Sequence, residues 1–183
     1  MEVSQGALRA HSAPGIRVCC PIVRHTLSVL VDNKPGVLSR VSGLFTRRGF
    51  NIDSLAVSPT EDVARSRMTI SCDDTKFPIE QVTKQLDKLV NVIKIRDLDP
   101  QNMVARELAL LKVSAAGQAR GEVIQLVEIF GAQIVDVTPD SVTIQATGES
   151  HTLLNLEELL RPYGLIELVK TGVVALGRGG NPT

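Results

Sequence analysis

The sequence predicts an α+β protein built from two tandem βαββαβ units, and three observations carry that expectation. Leu27, Val29 and Val31 alternate with Thr26, Ser28 and Leu30, the period of a strand with one apolar row, whereas Val37, Val41, Leu44 and Phe45 recur at helical spacing. The pattern then repeats. Adding 82 to each position carries Val29 to Leu111, Val31 to Val113, Val41 to Val123, Leu44 to Leu126, Phe45 to Val127, Gly49 to Gly131 and Ile52 to Ile134. Each half continues with two strands, a helix and a strand, and this order of elements is the ferredoxin-like one.

In the first half a strand over residues 26–31 leads into Asp32, Asn33, Lys34, Pro35 and Gly36, which break the alternation. Asn and Asp side chains bond to nearby backbone, Pro fixes its own φ, and Gly allows close approach to the main chain. A helix over 36–48 follows, then a strand starting near Asn51 and Ile52. The next strand spans 67–72, with Met68, Ile70 and Cys72 on one face. A helix over 78–89 carries the stripe Ile79, Val82, Leu86 and Leu89, and a strand over 92–96 closes the unit. The second half has an apolar first strand over 108–113 and a helix matching the first. After the turn at Pro139, Asp140 and Ser141 comes a strand with Val142, Ile144 and Ala146 inward, then a Leu-rich helix near 151–161. A single strand over 165–176, longer than usual, is expected to end the fold.

Domain boundaries follow from these elements: a disordered tail over 1–23, a first domain over 24–98, a linker over 99–105, a second domain over 106–177 and a tail over 178–183. The N-terminal tail is basic apart from Glu2. It weakly resembles an organelle transit peptide without the amphipathic pattern, and a misassigned start codon is an equal reading.

Composition excludes several classes. The chain has 183 residues, enough for one sizeable core or two small ones, and its 20 basic and 20 acidic residues cancel. No basic patch is dense enough for a nucleic-acid backbone, and no apolar run approaches the roughly 20 residues of a membrane span. Three cysteines, Cys19, Cys20 and Cys72, form no CxxC pair. A reducing, cytoplasmic setting is expected, with Cys72 a buried thiol.

Catalytic constellations are missing. The only Gly-dense segment, 177–180, has no helix after it. His11, His25 and His151 lack partners at metal-ligand spacing and read as surface or capping residues. Glu157 and Glu158 point apart on a helix and read as a solvated face. Ser39 and Ser42 have no base nearby in sequence. What remains is the loop before the first helix, whose Gly36 end presents unpaired N–H groups and partial positive charge suited to a carboxylate. The loop survives only in the first half, because Ala115 and Gln118 stand opposite Asn33 and Gly36. The second half reads as an interaction module. On turn chemistry alone, Asn33 and Gly36 serve a turn as readily as a ligand.

The run DNKPGVLSRVSGLFTRRGFNI at 32–52, with SRMTI at 66–70, KQLDKLVNVIKI at 84–95, RELALLKV at 106–113 and DVTPDSVTIQATG at 136–148, resembles the regulatory small subunits of acetolactate synthase (acetohydroxyacid synthase) over roughly residues 25–178. That resemblance implies that the first domain is an ACT domain, in which the loop and the next strand's start hold the feedback inhibitor valine between two ACT domains. Carried over by position, it assigns effector binding to Asn33, Gly36, Val37, Leu38, Asn51 and Ile52. The amides of Gly36, Val37 and Leu38 would take the carboxylate, and the Asn33 and Asn51 side chains the charged ends. Arg40, Arg47 and Arg48 read as solvated or partner-facing. The resemblance further implies no cofactor or metal in this chain. Its partner would be a catalytic large subunit carrying thiamine diphosphate, Mg and FAD, and it would pair with itself through the ACT domains. A free-standing amino-acid sensor would instead bring a DNA-binding helix-turn-helix, and a self-sufficient enzyme a cofactor motif; the sequence has neither.

Overall fold

A computed structural model describes residues 24–73 and 78–180. The first unit runs β1 (Arg24–Asp32), α1 (Val37–Arg48), β2 (Ser54–Pro59), β3 (Arg65–Asp73), α2 (Ile79–Leu86) and β4 (Val92–Leu98). The second runs β5 (Met103–Ser114), α3 (Ala119–Ile129), β6 (Gln133–Val137), β7 (Ser141–Gly148), α4 (Ser150–Gly164), β8 (Leu165–Lys170) and β9 (Val174–Gly177). Both sheets are antiparallel and share one topology, β2-β3-β1-β4 and β6-β7-β5-β8. The ferredoxin-like order read from the repeat is therefore present in each half.

The alternation of β1 dictates its packing. Leu27 and Val29 lie opposite Ile70 and Met68 of β3, and with Val31 they join Val41, Leu44 and Phe45 of α1 and Val82 and Leu86 of α2 in one core. The second core is separate, built on Leu111, Val113, Ile144, Leu153, Leu156 and Leu160. Gly49 ends α1 in the left-handed region at φ 71, donating to the Thr46 carbonyl. Phe50 then donates to the Phe45 carbonyl, and the two rings meet edge to face at 5.9 Å.

Several boundaries differ from the sequence reading. The helix expected over 78–89 stops at Leu86, because Leu89 turns back to donate to the Leu86 carbonyl before β4 begins. The helix expected near 151–161 continues through Pro162, which falls in the last turn. The single last strand is two strands. Lys170 pairs with Ala109 and Val174 with Arg106, so Thr171, Gly172 and Val173 oppose only Glu107 and Leu108. This is a bulge, with Gly172 at φ 79. It touches the first unit: a Cβ on Gly172 would lie 3.0 Å from the Ser54 Cβ, and the Val173 amide faces the Ser54 hydroxyl at 3.4 Å. Between the units, Asp99 organises the connection by accepting from the Gln101 amide (3.0 Å) and the Asn102 side chain (2.6 Å). The strand that follows begins at Met103. The two expected tails lie wholly or partly outside the described residues, as do Cys19 and Cys20.

Glu157 corrects another expectation. It is not on a solvated face but only 6% exposed, and its carboxylate accepts from Lys170 Nζ at 2.9 Å and from Arg161. A carboxylate taken from water needs such partners, and the 13-residue separation of Lys170 hid one of them from local sequence.

Candidate functional site

Gly36 caps α1 at φ 82, a backbone conformation that L residues adopt at a cost, and no side chain caps the helix. The Val37 amide turns back toward the Lys34 carbonyl at 3.4 Å, and Arg40 closes the first helical bond onto Gly36 at 3.0 Å. The Gly36, Leu38 and Ser39 amides are left as the open donors at this helix end. Val37 contributes its side chain to the core, while Leu38 is 45% exposed.

The loop is held from two sides. Asn33 donates its backbone amide to the Ala64 carbonyl (2.8 Å) and its side-chain amide to the Val63 carbonyl (2.9 Å), pinning the β2–β3 connection. Its turn role is thus real, and its side-chain oxygen stays open. On the other side Asn91 acts as a hub that sequence reasoning missed. Its carbonyl accepts from the Asp32 amide (2.9 Å), its side-chain nitrogen donates to the Asp32 carboxylate (3.3 Å), and its side-chain oxygen accepts from Arg40 (2.6 Å). The hydrogen bond from Lys34, then that from Asn91, holds the Asp32 carboxyl below its usual range. No local signal marks Asn91, because its partners come from β1 and α1. Of the three arginines, Arg40 binds Asn91, Arg48 donates to Gln85 at 3.1 Å, and Arg47 is exposed.

The second unit supplies an internal control. Ala115 repeats the Asn33 backbone bond, donating to the Asp140 carbonyl at 2.9 Å. Arg120 then reaches back over the loop to the carbonyls of Ala115 (3.0 Å), Thr138 (2.6 Å) and Pro139 (2.6 Å). The notch left open in the first unit is filled by a guanidinium in the second.

Asn51 and Ile52 lie elsewhere. They sit in the α1–β2 connection, Asn51 exposed and donating to Asp53 at 3.1 Å, Ile52 packed on the first core. The 12-residue length of α1 puts this connection about 18 Å from Gly36. One chain therefore does not bring the two halves of the candidate site together.

Two family models match the chain: the small-subunit-like ACT domain of acetohydroxyacid synthase over residues 27–94, and the acetolactate synthase small subunit over residues 106–179. The acetolactate synthase small subunit of Mycobacterium bovis is 55% identical over 155 residues, 85% of this chain and 92% of the relative. The chain belongs to the acetolactate synthase small-subunit family. A probable acetolactate synthase small subunit of Methanothermobacter thermautotrophicus is 49% identical over 156 residues, 85% of this chain and 93% of that relative. The crystal structure of the acetolactate synthase small subunit from Thermotoga maritima superposes with a TM-score of 0.80 at 41% identity, covering 87% of this chain and all of that one. Membership of the acetolactate synthase small-subunit family makes the first unit an ACT domain and places the chain in branched-chain amino acid biosynthesis.

Proposed function

We propose that this chain binds and activates the catalytic subunit of acetolactate synthase and makes it sensitive to valine or a related branched-chain amino acid. The catalytic subunit, carrying thiamine diphosphate, Mg and FAD, would condense two pyruvates to 2-acetolactate and CO2, or pyruvate with 2-oxobutanoate to 2-aceto-2-hydroxybutanoate and CO2. This chain would contribute no reacting group. A cytoplasmic setting accords with the Cys72 thiol in the core.

The observation that carries the reading is the open notch at Gly36, set against its Arg120-filled counterpart. A valine carboxylate would meet the free amides of Gly36 and Leu38, and the Asn33 oxygen would accept from the ammonium. Because Asn51 and Ile52 lie at the far end of α1, the site would be completed by a second chain whose α1 runs antiparallel to the first. Two features favour that pairing. Strand β2 is an unpaired sheet edge, and Ser39, Ser42, Gly43 and Thr46 give α1 a surface of small residues at helical spacing. A two-fold axis there would bring each Gly36 loop to the partner's Asn51.

Acetolactate formation by the catalytic subunit, measured with and without this chain and across a valine titration, tests the proposal. Stimulation that valine reverses is expected. Absence of both stimulation and a valine response would refute it.

A further inference from the structure

Between the two units lies a cleft of about 560 Å³, a volume ordinary for a small-molecule site and remote in the fold from the Gly36 loop. Its floor carries two polar side chains that make no bond within the fold. Glu107 is only 9% exposed, and among the described residues its carboxyl has no hydrogen-bond or ion-pair partner. The Ser71 hydroxyl, buried on the first sheet, is likewise without a partner. A hydroxyl shut away from water in this way forfeits its hydration without compensation, and native folds rarely leave one bare. Both line the cleft.

The complementary groups stand beside Glu107, which pairs with Gly148, two residues before Ser150. Helix α4 begins there at Ser150, with no side-chain cap hydrogen bond and no acidic residue in its first turn, so its first N–H groups remain open donors. The preceding Glu149 is occupied by Arg106 and His151, each at 3.5 Å. Met103 and Leu154 supply the apolar lining. The cleft thus offers a buried carboxyl and hydroxyl close to open helix amides and a guanidinium, with aliphatic side chains lining the rest.

We propose that this cleft is a second effector site, distinct from the Gly36 loop, and that it takes an aliphatic α-amino acid. The ammonium donates to Glu107 and Ser71. The carboxylate faces the first turn of α4 beside Arg106, and the side chain lies against Met103 and Leu154. Because β5 and α4 belong to one unit and Ser71 to the other, an occupant would bridge both.

L-norleucine serves as the probe, with pentylamine and hexanoate as the matched compounds lacking the carboxylate or the amine. The Met103 methyl resonance of the full chain, assigned through Met103→Leu, reports binding. A saturable shift with norleucine is expected in the millimolar range, with at least about tenfold weaker binding of each matched compound and of norleucine to Glu107→Gln, since each removes a charged partner. Gly36→Asp should leave the response intact. Leu154→Trp, at a 43% exposed position that tolerates bulk, should abolish it without changing thermal unfolding, and keeps the test valid should Glu107→Gln fold poorly. No saturable Met103 shift, equal binding to Glu107→Gln, or loss of the response in Gly36→Asp would overturn the proposal.

Discussion

Leu38 and Arg120 are equivalent residues, each the second of its helix, yet only Arg120 folds back to seal the loop that precedes it. Sealing is achieved by three carbonyl contacts that span the α3 entry loop and the β6–β7 turn. In the first unit the same join is made by Asn33, through its backbone amide and its side chain, which leaves the helix end clear. The duplication thus contains both an open and a closed version of one notch.

Leu38→Arg should convert the open notch into the closed one. The exposed position of Leu38 lets the substitution leave both cores intact. Valine affinity, measured by isothermal titration, should fall by about tenfold or more as the guanidinium takes the volume and carbonyls around the ligand. Stimulation of the catalytic subunit should persist. Undiminished valine inhibition would place the effector elsewhere.

Gly36→Asp and Gly36→Ala form a second pair. No atom lies within 4 Å of a Cβ built on Gly36, so the Cβ of either residue has room, but φ 82 costs either residue about 1–2 kcal/mol, less for Asp. Both variants should therefore unfold at somewhat lower temperature. Only Gly36→Asp sets a carboxylate where the ligand carboxylate would sit, and it should lose more valine affinity than Gly36→Ala. Equal losses would assign the effect to backbone strain.

Much of this arrangement was legible in the sequence because it is local or repeated. The alternation of Leu27, Val29 and Val31 fixes which face of β1 is buried, and the internal repeat carries that solution to Leu111 and Val113. What escaped depends on contacts between distant elements. The break in the last strand arises where Gly172 meets Ser54 of the other unit, and nothing in LIELVKTGVVAL marks that meeting. Glu157 beside Glu158 looks like any charged helical surface until Lys170 is brought over it. Asn91 lies in a turn and gains its role only when β4 pairs beside β1. The separation of Asn33 from Asn51, in contrast, follows from helix length alone and needs no tertiary information.

Gly43→Arg tests the pairing of chains. A Cβ on Gly43 meets nothing within 4 Å, so the single chain should tolerate the substitution and gain up to about 1 kcal/mol of helix propensity. A partner helix packed on Ser39, Ser42, Gly43 and Thr46 would be pushed away. Light scattering should show a dimer or larger assembly for the parent chain and a shift toward monomer for the variant. The valine response should fall with it, since half the site would come from the partner. A parent chain that is monomeric at micromolar concentration while binding valine would contradict the composite site.

Acid stability should depend on Glu157. The hydrogen bond from Lys170, aided by Arg161 and opposed by burial, holds its carboxyl below the ordinary value of 4.5. A carboxyl whose pKa is lower folded than unfolded contributes stability that is complete above the unfolded value and disappears as pH falls through the folded one. Glu157→Gln should therefore cost about 1–2 kcal/mol near neutrality, a figure discounted from that of a fully buried pair because Arg161 is mostly exposed. The deficit should shrink below pH 4.5 as the parent carboxyl takes up its proton. Urea unfolding followed by circular dichroism from pH 7 to pH 3 measures this difference. A deficit that stays constant over that range would mean that the substitution acts through packing rather than charge.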